Sequence, residues 1–283
     1  MKNAKLKYRR CGARTRASRV HTHVNAFSLF ALFAATLASQ ELRLPLRTRV
    51  EAFRGSGEWQ EVTFERRLPA AETALIVCDM WDKHWCRGAS ERVEQIARKM
   101  APVIDDARNR GILIIWSPSE TMDFYKDVPQ RLAIMAIPKA ATPPPLDLTS
   151  PPLPIDDSKG GCDTTESFYK AWTRQNATLH IAPNDLISDK GDEVYSALKL
   201  RGIRNVLIAG VHANMCVLNR PFAIKQLTKW GFRCILVRDL TDAMYNPRDR
   251  PYVSHERGTE LVIEYIEKYW APTVLSSDLA RSK

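Results

Sequence analysis

Uninterrupted apolar runs alternate with amphipathic stretches along most of this chain. Residues 73–80, 112–116, 179–181, 205–209 and 233–238 are short and rich in Ile, Leu and Val. Runs of that kind, apolar at every position, predict strands buried on both faces of a parallel sheet. Residues 91–110 instead repeat at helical spacing, with Val93, Ile96, Ala97, Met100, Val103, Ile104 and Ala107 on one face. Helices are also predicted over 220–230, closed by Gly231 as a C-cap, and over about 255–269. Strand and helix in alternation imply βαβ units and an α/β fold. Residues 48–66 are polar around Gly55-Ser56-Gly57 and predict a hairpin or arm, so 41–70 is set apart from a main domain over 71–275. Residues 138–162 interrupt the rhythm. Seven prolines (Pro138, Pro143, Pro144, Pro145, Pro151, Pro152 and Pro154) followed by Asp156-Asp157-Ser158-Lys159-Gly160-Gly161 exclude regular structure there. A loop of this length inside a compact domain is often functional.

Two strand ends carry candidate chemistry. Leu207-Ile208-Ala209-Gly210 ends a strand, and Val211-His212-Ala213-Asn214-Met215 leads to Cys216 where the next helix is predicted to begin. A helix start offers unpaired N–H groups and partial positive charge, which favour a thiolate and bind an oxyanion. A buried structural cysteine fits the same place. The run 73–78 ends at Asp79. Ligands of open α/β sheets bind beyond the carboxyl ends of strands, so Asp79 and Cys216 are expected on one edge. There the carboxylate accepts the thiol proton; a cap or loop-ordering role is the alternative for Asp79.

The strand ending Val77-Cys78-Asp79-Met80, together with Gly210-Val211-His212-Ala213-Asn214-Met215-Cys216-Val217, resembles the isochorismatase-like cysteine hydrolases. That superfamily includes isochorismatases, nicotinamidases and N-carbamoyl amidohydrolases. The resemblance spans about residues 70–270, and the cysteine segment is its specific part. It implies a Rossmann-like three-layer α/β/α fold with a mainly parallel central sheet. It also implies an Asp, Lys, Cys triad and a non-proline cis peptide around Val211-His212. The implied activity is cysteine-dependent hydrolysis of a small amide or related C–N bond. Vinyl-ether cleavage of the isochorismatase type, and a non-catalytic relative that binds a small molecule or protein, are the alternatives.

The lysine is where the chain departs from that pattern. Lys190 is the only lysine in 182–192, and its offset from Asp185 fits the superfamily. Counting back from Gly202 instead puts Pro183 or Asn184 in the lysine place. Lys83 and Lys159 are substitutes from other loops, and His84, His212 or Arg220 could supply positive charge without a lysine. Trp81, His84, His212 and Asn214 flank the two strand ends and are the candidate substrate-binding residues. Nicotinamidases hold a metal through an Asp-x-His motif after the second strand. Here that place reads Trp116-Ser117-Pro118-Ser119-Glu120-Thr121, without histidine, so no metal and no cofactor is expected.

Charge changes the picture less than its total suggests. The formal net charge is +10, but eight Lys or Arg and no acid fall in residues 1–40, leaving +2 on the rest. A folded nucleic-acid-binding surface is therefore not expected, and the expected partner is a small-molecule substrate. The basic leader precedes an apolar stretch at 26–38, too short for a stable membrane span of about 20 residues. It reads as a secretory signal cleaved after Ala38, hence an exported protein; translated upstream sequence, with a cytoplasmic protein, is the alternative. Beyond it lie Cys78, Cys86, Cys162, Cys216 and Cys234. The number is odd, so one thiol stays free, and a Cys86–Cys162 disulfide is conceivable in an oxidising compartment. Relatives in the superfamily often self-associate, so the resemblance also admits a homo-oligomer.

Overall fold

The computed structural model describes residues 40–281, so the basic leader and its apolar stretch lie outside the described residues. An antiparallel hairpin comes first, β1 (Glu41–Glu51) and β2 (Trp59–Pro69). Its turn is fixed by Glu51, whose carboxylate accepts from the Gly55 and Gly57 amides, each at 2.9 Å. There follow β3 (Thr73–Cys78), α1 (Arg87–Asn109), β4 (Leu113–Ser117), α2 (Met122–Tyr125), α3 (Pro129–Met135), β5 (Leu186–Ile187), α4 (Gly191–Leu200) and β6 (Asn205–Val211). The chain continues through α5 (Cys216–Asn219), α6 (Ile224–Lys229), β7 (Arg233–Asp242), α7 (His255–Tyr269), β8 (Thr273–Val274) and α8 (Ser276–Arg281).

The strands form one eight-stranded sheet in the order β2-β1-β8-β7-β6-β3-β4-β5. From β8 to β5 every pairing is parallel; only the hairpin runs against the rest. β3 and β6 are buried at every position, as their unbroken apolar sequence requires. One face packs against residues of α4, α5, α6 and α7, the other against α1, α8 and the hairpin. The result is a three-layer α/β/α fold. The order of connection reverses between the parallel strands β3 and β6: β3 leads on to β4 on one side, and β6 to β7 on the other. Such a reversal opens a crevice beyond the carboxyl ends of the two strands.

Two sequence expectations need correction. Residues 179–181 are not a strand; the last parallel strand is β5, two residues that pair with Ile115 and Trp116. Leu179 is buried, but its amide donates to the Asn176 carbonyl, and the His180 carbonyl accepts from Arg108 Nη2. Those bonds belong to a turn and leave no ladder to join. The predicted helix over 220–230 is likewise split. Pro221 disfavours helical geometry in the residue before it, and Arg220 is extended at ψ 153, so α5 is a single turn and α6 begins only at Ile224.

The Pro-rich segment 138–162 holds no helix or strand. It lies along the α6–α7 side, where Leu146 N–H donates to the Lys229 carbonyl (2.9 Å) and Tyr265 Oη donates to the Pro151 carbonyl (2.6 Å). It then meets the loop after β7, where Asp156 N–H donates to the Arg250 carbonyl at 2.9 Å. Its end is tied down by a Cys86–Cys162 disulfide, with Cα atoms 5.6 Å apart. Gly161 has a φ of +65°, and a Cβ there would overlap the Met244 carbonyl. Only glycine permits so close an approach.

Candidate active site

Asp79 follows the last residue of β3 and Cys216 opens α5 after β6, so the crevice at the reversal receives both. Gly210 makes the approach of the two strand ends feasible: its φ is +118°, and a Cβ would strike the Cys78 carbonyl. The peptide between Val211 and His212 is cis. Asp79 is fully buried, with its backbone in the left-handed region at φ +47°. A non-glycine residue held there costs about 1–3 kcal/mol, which the surrounding structure must offset. Two groups hold its carboxylate. Ser119 N–H donates to Oδ1 at 2.7 Å and Arg220 Nε lies 3.2 Å from Oδ2, with the Cys216 thiol beside them. Arg220 Nη2 also donates to Glu120 at 3.1 Å, so one guanidinium spans two carboxylates.

Burial raises the Asp79 pKa above the ordinary carboxylate value, opposed by Arg220 and by the Cys216 and Ser119 hydrogen bonds. Burial also pushes the Cys216 thiol up, with the charge of Asp79 acting in the same direction; Arg220 and the His212 backbone act against both. The sequence pattern led us to expect a thiolate at a helix start. The helix has only four residues, too few aligned peptides for an appreciable dipole, and burial beside a carboxylate outweighs it. Both shifts favour the protonated forms, so the thiol rests protonated beside Asp79.

Cys216 is partly exposed and opens onto a cleft of about 500 Å³, lined by Leu153, Asp157, Asn214, Met215, Arg220 and Pro221 among others. Asn214 locks the turn before the cysteine. Its Oδ1 accepts from Met244 N–H (2.9 Å), and its Nδ2 donates to the Met244 carbonyl (3.1 Å) and to Asp157 Oδ2 (2.8 Å).

The other candidate residues lie elsewhere. Lys190 precedes α4, and its ammonium pairs with Asp189 at 3.1 Å. The cation on Asp79 is Arg220. Trp81, His84 and His212 are buried behind the cleft: Trp81 stacks on Trp172 with ring centroids 4.4 Å apart, and His84 meets His212 edge-on at 5.0 Å. Burial lowers the His84 pKa to about 4 and the His212 pKa to about 3, so both rings are neutral. His84 Nδ1 accepts from Cys86 N–H at 3.1 Å, which places its proton on Nε2. Among the described residues, the one group of His, Cys and acids close enough to share a metal is Cys86, Cys162 and Asp163, where the two sulfurs are joined to each other. Sequence reasoning missed Glu120 and Asp157. Glu120 stands in a segment noted only for lacking histidine, and Asp157 in a loop whose path no local pattern specifies.

No family model and no curated protein matches this sequence. Solved structures do. A cysteine hydrolase from Pseudomonas syringae pv. phaseolicola 1448A superposes with a TM-score of 0.50 at 15% identity, covering 76% of this chain and 93% of that one. The chain shares the α/β fold of that cysteine hydrolase. An isochorismatase family protein from Burkholderia thailandensis is 14% identical over 75% of this chain and 95% of its own, with a TM-score of 0.45. An isochorismatase-like hydrolase from Alkaliphilus metalliredigens also gives 14% identity and a TM-score of 0.45, over 75% of this chain and 97% of that one. Where the resemblance in sequence implies an Asp, Lys, Cys triad, the structure sets Arg220, and not a lysine, against Asp79.

Proposed function

We propose that this chain is a cysteine-dependent hydrolase of a small amide or related C–N bond. The observation that carries the reading is the Cys216 thiol beside a buried carboxylate that is itself paired with Arg220, at the wall of an open cleft. Asp79 takes the thiol proton as sulfur attacks the carbonyl carbon, and returns it to the departing amine. Water then attacks the thioester, gives a proton to Asp79, and releases the acid with the thiol restored. Arg220 cannot act as a proton donor at neutral pH. Its part is to keep Asp79 ionised and to offset the negative charge that forms on sulfur. The non-catalytic alternative leaned on the missing lysine, and Arg220 supplies a cation in its stead. The reading extends to location: a secretory leader and a Cys86–Cys162 disulfide together support an oxidising compartment.

The test is ammonia release from a panel of small primary amides and carbamoyl compounds, with Cys216→Ala and Asp79→Asn variants alongside. Activity in the parent that falls by about 10³ or more in both variants supports the reading. Equal release by all three proteins, or none from the panel with no adduct on Cys216 by mass spectrometry, overturns it.

A further inference from the structure

We infer that the cleft selects amides carrying a cationic nitrogen, and that Asp157 is the residue that recognises that charge. The inference rests on the hydrolase reading and adds a substrate class to it. Asp157 comes from the Pro-rich segment, not from the sheet, and it lines the same cleft as Cys216. One of its oxygens accepts from Asn214 Nδ2 at 2.8 Å, which fixes the carboxylate beside the cysteine turn. No Lys, Arg or His among the described residues forms an ion pair with it. Its neighbour Lys159 is turned to Asp249 at 2.8 Å. Arg220, the cation on the cleft wall, is committed to Asp79 and Glu120.

The charged residues lining the cleft are therefore Asp157 and Arg220, and the positive charge of Arg220 is already shared by Asp79 and Glu120. An anionic substrate is repelled by that field, and a cation is drawn in and finds an unneutralised carboxylate. Leu153, Met215 and Pro221 add apolar surface to the same cleft. Such surface suits methylene groups joining an ammonium to the scissile amide.

Three near-isosteric probes test it: 4-aminobutyramide (cationic), pentanamide (neutral) and succinamate (anionic). The expected order of kcat/KM is cationic, neutral, anionic, with about tenfold or more between the first two, the scale of a hydrogen bond to a charged group. Asp157→Asn keeps an acceptor for Asn214 and removes only the charge. It should bring cationic and neutral probes to within about twofold of each other. Equal loss on all three probes, or no preference in the parent, overturns the proposal. If the parent hydrolyses none of them, the hydrolase reading fails separately. Binding of the same probes to Cys216→Ser, by calorimetry, then reads the preference alone, and absent or charge-blind binding overturns it.

Discussion

At the scale of single residues, the cation that faces Asp79 is an arginine, Arg220. A guanidinium stays charged at any working pH and reaches two carboxylates at once, Asp79 and Glu120. Arg220→Gln leaves the buried Asp79 uncompensated, so its pKa rises further. The acid limb of kcat/KM, which follows ionisation of Asp79 as base, then moves to higher pH, and the plateau falls by about 10²-fold. An unchanged pH profile would contradict the assignment. Stability carries its own pH signature. His84 and His212 titrate near 4 and 3 when folded, and near 6.5 when unfolded. As pH falls below about 6.5 the unfolded chain binds their protons first, so the folded state loses stability down to about pH 4, by roughly 3 kcal/mol per histidine. His255 works in the opposite sense. Burial lowers its pKa, but the bond to Asp242 outweighs that and raises it; its contribution is full below about 6.5 and fades as pH rises through the raised value. Urea midpoints at pH 7 and pH 4.5 should differ in the parent, and by about half as much in His212→Gln, where only His84 still contributes.

Among the elements, those whose sequence is governed by burial were legible. β3, β6 and α7 lie where unbroken or helically spaced apolar residues put them, because the sheet interior admits nothing else. The elements that shape the site were less so. α5 is cut short by Pro221 and β5 is two residues long, and neither is large enough to leave a pattern. Asp79 and Cys216 could be read from strand ends, whereas Arg220 was one of several cations and its pairing with Asp79 depends on where a broken helix leaves its side chain. The path of the Pro-rich segment depends on distant contacts. Gly161 is the most confined of them: its left-handed backbone lies against Met244, next to the bonds made by Asn214. Gly161→Ala should lower stability by about 1–3 kcal/mol and reduce kcat/KM, since Leu153 and Asp157 shift with the segment. Gly160→Ala meets only the Trp85 ring at 3.5 Å and, strained to a similar degree by its own φ of +84°, should leave the cleft in place. Equal kcat/KM in the two variants would show that the segment does not shape the cleft.

For the whole molecule, long-range ties matter more than local ones. The disulfide closes a loop with a sequence separation of 76. Chain entropy for a loop of that size gives about 4 kcal/mol of stabilisation. Replacing Cys86 and Cys162 together with Ser should lower the unfolding free energy by about that much, measured by denaturant titration; a loss under about 1 kcal/mol would mean the hydrogen bonds of the segment already hold it. The hairpin is bound to the body in another way. The buried Glu267 of α7 takes Arg47 Nε at 2.7 Å and Thr273 Oγ1 at 2.6 Å, with Arg49 Nε at 3.3 Å. Among the described residues β2 is the outermost strand of the sheet, eleven residues long. A free strand of that length is a template on which another chain can extend the sheet. Glu61, Glu65, Arg66 and Arg67 put charge along it, so the same hairpin that completes the fold also guards the protein against sheet-to-sheet aggregation.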